Sequence, residues 1–253
     1  MSENTETNRS HWNEAASTYN TKFSKTIQQI IDEIQVRKDW IGVDWVEDTS
    51  EDEDESIPPE KTVKLLDYAC GTGLVSRALA PYVTQCIGID LSEGMVNEYN
   101  ASVQNQGIPA SEMHAVLGNL LDASDPNPAA LSGAEFHDFD IAVVGLGFHH
   151  FDDPALAAKR LAERLKKGGV LMIVDFMPHG HFHGHDAHGH DHPAKKTVTH
   201  LGFSKEEVKK AFEGAGAGGD FAFEVLGKGV VFEDKEKEVK LERSVFMARG
   251  TKV

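Results

Sequence analysis

From Lys61 onward the chain repeats one pattern: a short apolar run, a turn, and a stretch with helical periodicity. Val63–Asp67, Cys86–Asp90, Met113–Leu117, Phe139–Gly145 and Val170–Asp175 read as strands. Leu74–Val83, a segment capped by Ser92 and running toward Val103, and Pro154–Lys167 read as helices, the last stopped by Gly168-Gly169. Strands that are apolar throughout are buried on both faces, as in a parallel sheet covered by helices. Ser204 opens a further helix with capping-box spacing to Glu207, and Phe221–Leu226 and Ser244–Ala248 supply two more strands, with Val230-Val231-Phe232 extending the first or standing alone. The expected fold is α/β: a doubly wound, mostly parallel seven-stranded sheet with helices on both faces.

Two stretches break the pattern. Residues 1–60 read as a helical lid followed by an acidic loop: Ile27, Ile30, Ile31 and Ile34 recur at helical spacing within a helical segment from about Arg9 to Trp40, and Glu47–Glu55 is a self-repelling block closed by Pro58-Pro59. Residues 61–253 read as the core, interrupted at 178–193 by a histidine-rich insertion. No cysteine joins those histidines and no structural-zinc spacing occurs, so a flexible polar loop that binds metal only adventitiously competes with metal binding, and no metal site is assigned; its place after the fifth strand makes gating of acceptor entry a separate expectation. The net charge of −16 argues against nucleic acid or an anionic membrane as partner. Two cysteines, no long apolar run and a polar Met1–Arg9 point to a cytoplasmic chain without a secretory signal. The sequence leaves the oligomeric state open.

The chemistry concentrates at Leu65–Gly73. Gly71 and Gly73 sit where a strand turns into a helix, so backbone can approach a ligand and helix N–H groups point at it. Asp90 ends the next strand, where a carboxylate can accept both hydroxyls of a ribose. A dinucleotide turn carries a third glycine where Ser76 stands. Asp67, just before the turn, repels a pyrophosphate and attracts an ammonium, which favours S-adenosylmethionine over NAD.

Leu65–Gly73 resembles motif I of the class I S-adenosylmethionine-dependent methyltransferases, and Ile87–Met95 resembles their second motif. Gly118-Asn119-Leu120, Phe139–Gly145 and Leu165–Leu171 are similar to later family segments, and His149–Pro154 resembles the small-molecule, ubiquinone-biosynthesis type. The resemblance implies transfer of a methyl group to a small-molecule acceptor. It places Asp67, Ala69 and Gly71 at the methionine end, Asp90 on the ribose, Leu91 against the adenine, and Asn119 and Leu120 at the adenine edge. It also implies that Gly145 admits the sulfonium and that Tyr19 covers the methionine carboxylate. Two positions depart from the pattern: Ala69 stands where glycine is frequent, and Asn119 where an acid is common, its carbonyl oxygen still able to accept from an adenine amino group. Helix packing alone would also explain Tyr19 and Trp12.

His149 and His150 follow the fourth strand, at the edge where the acceptor should lie, and one of them is the expected general base or acceptor-orienting group. Packing of the loop is the competing role for both. A non-catalytic, cofactor-binding regulatory protein with this fold is the alternative function, since fold does not fix activity.

Overall fold

The computed structural model describes residues 2–46, 61–180, 196–234 and 239–253. Seven strands form one sheet in the order β3-β2-β1-β4-β5-β7-β6. They are β1 (Lys64–Tyr68), β2 (Gln85–Asp90), β3 (Met113–Leu117), β4 (Phe139–Gly145), β5 (Leu165–Phe176), β6 (Gly219–Asp234) and β7 (Val239–Thr251). The first five run parallel, and β7 lies antiparallel to both β5 and β6. The acidic block and residues 181–193 of the histidine-rich tract lie outside the described residues.

Alternation along the central strands divides the core. Leu65, Ile141, Val143, Val170 and Met172 join one apolar layer, and Leu66, Ala142, Val144, Leu171 and Ile173 the other. The first layer is closed by α2 (Ser24–Gln35), α4 (Leu74–Leu79) and α5 (Glu93–Asn105), the second by α6 (Pro154–Arg164) and α7 (Lys205–Gly214). The capping box of Ser204 with Glu207 is present.

The N-terminal segment is helical and divides into three helices. α1 (Glu3–Lys22) starts at Ser2, whose side chain caps Thr5 N–H, and stops where Phe23 leaves helical geometry; α3 (Lys38–Ile41) ends at Gly42, which is left-handed at φ 83°. α1 and α2 are held differently. α2 buries Ile27, Ile30, Ile31 and Ile34, each contributing about 2 kcal/mol. α1 buries only Asn8 and Ala16. Its anchors are asparagines: Asn4 donates to the His150 carbonyl (3.1 Å), Asn13 accepts from Ser92 Oγ (2.8 Å) and Gly94 N–H (2.9 Å), and Asn20 accepts from Thr72 Oγ1 (2.7 Å).

The helix expected to reach Lys167 ends at Arg164 instead. Leu165 is already extended and pairs with Phe139, while the Arg164 guanidinium donates to the Leu131 carbonyl at 2.6 Å. These tertiary contacts fix the boundary three residues before the glycine pair.

Candidate functional site

A cavity of about 510 Å³ opens beside the carboxyl ends of β1, β2 and β4. β1 is flanked by β2 and β4, so this is where the strand order reverses. Its size is that of a small-molecule site.

Two glycines of the β1–α4 turn have different tasks. Gly71 has φ 51°, and a Cβ built on it meets nothing within 4 Å, so its backbone forms an open cradle on the cavity wall. Gly73 has φ 88°, and a Cβ there would stand 2.8 Å from the Tyr99 ring. Ala69 is left-handed at φ 53° in the same turn, a conformation that costs a residue bearing a Cβ about 1 kcal/mol. Asp90 ties the turn to β2: one carboxylate oxygen accepts Gly71 N–H and the other Ser92 N–H, both at 2.8 Å. Burial raises its pKa, and the backbone donors oppose that shift. Each oxygen keeps lone-pair capacity toward the cavity it lines.

Tyr19, Ala69, Gly71, Asp90, Leu91, Asn119, Gly145 and His150 all line this cavity. Tyr19 comes from α1, and burial pushes its hydroxyl up to about 12, so it remains a donor. A Cβ on Gly145 would strike Val75 Cγ2 at 2.4 Å, so packing of β4 on α4 by itself demands glycine there. Asn119 Oδ1 accepts from Tyr68 OH (3.2 Å) and Leu121 N–H (2.8 Å), and its amide nitrogen has no hydrogen-bond partner among the described residues.

Asp67, Leu120 and His149 do not line the cavity. Leu120 is buried in the second apolar layer, its N–H donated to Tyr68 OH at 3.1 Å. Asp67 stands behind the turn, its Oδ2 accepting from Ser76 N–H (3.0 Å) and Ser76 Oγ (2.7 Å). Burial pushes its pKa up to about 7, with the Asp90 charge adding to the shift. A raised carboxyl pKa means that the folded state holds the proton more tightly than the unfolded one. The stabilising contribution is full below about pH 4 and is lost as pH rises through about 7. Relative to Asp67→Asn, the wild type should lose on the order of 3 kcal/mol across that window, read from denaturant midpoints at each pH. Parallel stability curves for the two proteins would show that Asp67 is not perturbed.

The adjacent histidines diverge because a 3-10 turn at Phe148–His150 carries them. His149 turns inward, Nδ1 at 2.8 Å from the fully buried Asp175. The Asp175 carboxylate also accepts the backbone N–H groups of His149 (3.1 Å) and Phe176 (2.7 Å). His150 stands over it, ring centroids 4.0 Å apart, with the Trp12 ring edge-on at 5.4 Å. Its Nδ1 lies 2.7 Å from the Thr197 carbonyl, which can only accept, so Nδ1 carries the proton and Nε2 the lone pair. Burial, with His149 next, lowers the His150 pKa well below the usual histidine value.

The sequence reading missed several wall residues. Ser2, Thr5 and Asn8 lie on or before a polar helix, and Met95, Leu121 and Phe151 are apolar side chains that read no differently from core residues. Thr72, between the two glycines, was the one with a usable positional signal.

The donor set fits a nucleoside cofactor with a cationic tail: an open glycine cradle, a carboxylate with capacity on both oxygens, apolar Leu91 and Met95, and no lysine or arginine on the wall among the described residues. A pyrophosphate finds no cation there.

Residues 27–217 match the family model described as a methyltransferase domain. An uncharacterized methyltransferase of Schizosaccharomyces pombe is 33% identical over 172 residues, 66% of this chain and 56% of its own length. The ubiquinone biosynthesis O-methyltransferase of Idiomarina loihiensis is 30% identical over 111 residues, 44% of this chain and 41% of its own. The chain spans about half the length of the curated relatives it matches. The crystal structure of YcgJ from Bacillus subtilis superposes with a TM-score of 0.54 at 18% identity, covering 76% of this chain and 92% of that one, a likeness of fold alone.

Proposed function

Because the chain belongs to the methyltransferase-domain family, we propose that it is an S-adenosylmethionine-dependent methyltransferase acting on a small-molecule acceptor in the cytoplasm. The observation that carries this reading is Asp90, bridging Gly71 and Ser92 at the strand-order reversal beside the Gly71 cradle. Two buried free cysteines suit a reducing compartment. Among the described residues no helix is long and apolar enough to cross a membrane.

When bound, S-adenosylmethionine supplies a methyl group activated by the sulfonium. The residues of the chain position and desolvate. Asp90 holds the ribose, with Leu91 and the Asn119 amide at the base, and the Ala69–Gly71 backbone carries the methionine end. Tyr19 covers that end as a hydroxyl donor, and α1, laid across the cavity on its asparagines, serves as the lid. His150 Nε2 orients the acceptor and takes its proton where one must leave.

Calorimetry with S-adenosylhomocysteine tests the cofactor assignment. Asp90→Ala removes the acceptor for two backbone N–H groups and both oxygens facing the cavity. The affinity should fall at least about tenfold, the equivalent of ~1.4 kcal/mol. Asp90→Asn, which retains one acceptor, should fall between. Equal affinity in all three proteins, or tighter binding of NAD to the wild type, would sink the assignment. Release of S-adenosylhomocysteine with an acceptor present separates an enzyme from a binding protein of the same fold.

A further inference from the structure

Trp12, His150 and Phe151 line the cavity, with Asp152 and Asp153 exposed at its mouth. Among the described residues both carboxylates are engaged only by neutral donors: Asp152 by Ser2 Oγ and by Asn4 Nδ2 at 2.8 Å, and Asp153 by the N–H of Leu156 at 2.9 Å. No lysine or arginine side chain lines the cavity among the described residues. An acceptor bearing a carboxylate or phosphate would therefore enter past two negative charges and find no lysine or arginine counter-ion among the described residues. A cation would be drawn to the same mouth and then meet aromatic rings, which attract positive charge through their faces.

The second observation is independent of the carboxylates. His150 Nδ1 is spent on the Thr197 carbonyl, and Nε2 has no hydrogen-bond partner among the described residues. Nε2 is thus a lone pair without a donor, on a ring that lines the cavity. A ligand that satisfies it must bring an N–H or O–H.

We propose that the acceptor is a cationic small-molecule amine, admitted past Asp152 and Asp153 with its ammonium donating to Nε2 of His150. This rests on the methyltransferase reading and names its substrate class. His150 takes one proton from the ammonium, which frees the nitrogen lone pair for the acceptor role. Trp12 and Phe151 face the remainder of the molecule.

Three isosteric probes separate the charge classes: 2-phenylethylamine, 2-phenylethanol and phenylacetate. Each is titrated calorimetrically into the full-length protein, alone and saturated with S-adenosylhomocysteine. The amine should bind at least about tenfold more tightly than the alcohol and weaken as salt is raised, and phenylacetate should bind most weakly. The paired change Asp152→Asn and Asp153→Asn keeps the cap on α6, since asparagine caps as well as aspartate. It should reduce the amine preference at least about threefold and leave the alcohol unchanged. Equal binding of amine and alcohol, tighter binding of phenylacetate, absence of amine binding, or a paired variant that weakens all three probes alike would each overturn the inference. If S-adenosylhomocysteine binds while the amine shows no preference, this inference alone fails. If S-adenosylhomocysteine does not bind, the methyltransferase reading fails and takes the inference with it.

Discussion

Gly73→Ala should destabilise the protein by about 2–4 kcal/mol, whereas Gly71→Ala, two residues away, should change stability by only about 1 kcal/mol and weaken S-adenosylhomocysteine binding at least about tenfold. Both glycines are left-handed, so the backbone penalty for a Cβ is common to the pair. What differs is what the methyl meets. At Gly73 it would lie 2.8 Å from the ring of Tyr99, a fully buried side chain whose ring cannot withdraw without disturbing α5 and the first apolar layer. Overpacking of that kind adds roughly 1–3 kcal/mol to the backbone strain. At Gly71 nothing lies within 4 Å, so the methyl projects into the cradle where the ligand belongs. For a chain of this length each kcal/mol moves the melting temperature by roughly 2–4 °C, so Gly73→Ala should melt several degrees below Gly71→Ala. If the two variants have equal melting temperatures, or if Gly71→Ala binds S-adenosylhomocysteine as the wild type does, the division of labour in the turn is wrong.

The turn also shows how far the sequence could be read. The strands β3 and β4 have the expected bounds, Met113–Leu117 and Phe139–Gly145; in β4 the run that is apolar after Asp140 identifies a buried strand. Ser92 and Ser204 cap helices as expected, since capping is a local interaction between residues three apart. Boundaries set by distant partners were not legible: the end of α6 depends on Leu165 pairing with Phe139 and on Arg164 reaching the Leu131 carbonyl. Depth was equally hidden. Asp67 and Asp90 leave the same face of the sheet, yet one lies behind the turn against Ser76 and the other on the wall, because the β1–β2 register pairs Asp67 with Gly88 and so carries Asp90 two residues farther toward the carboxyl edge. The wall contributed by α1 gave no apolar signal, because asparagine hydrogen bonds rather than an apolar stripe dock that helix.

His149 and His150 were indistinguishable by position, and their alanine variants should fail in different ways. His149→Ala removes the side-chain partner of Asp175, which is fully buried and keeps only two backbone N–H donors. Breaking a buried pair of this kind leaves a carboxylate under-compensated, so the loss should be about 3 kcal/mol of stability. Binding of S-adenosylhomocysteine should survive at temperatures where the variant remains folded. His150→Ala removes a ring that lines the cavity and whose Nδ1 bond to Thr197 is made at a half-buried position. Its stability should change by less than ~1.5 kcal/mol, while kcat with the acceptor should fall about a hundredfold, the lower end of what a positioned base contributes. The pH dependence adds a separate check. Burial and the neighbouring His149 lower the His150 pKa, so the neutral, proton-accepting form persists below the ordinary histidine range. The acid limb of the wild-type kcat profile should therefore lie well under pH 6.5, and His150→Ala should abolish that limb. A His150→Ala enzyme with undiminished kcat would remove the base from the mechanism, and a His149→Ala protein as stable as the wild type would show that Asp175 is satisfied by backbone alone.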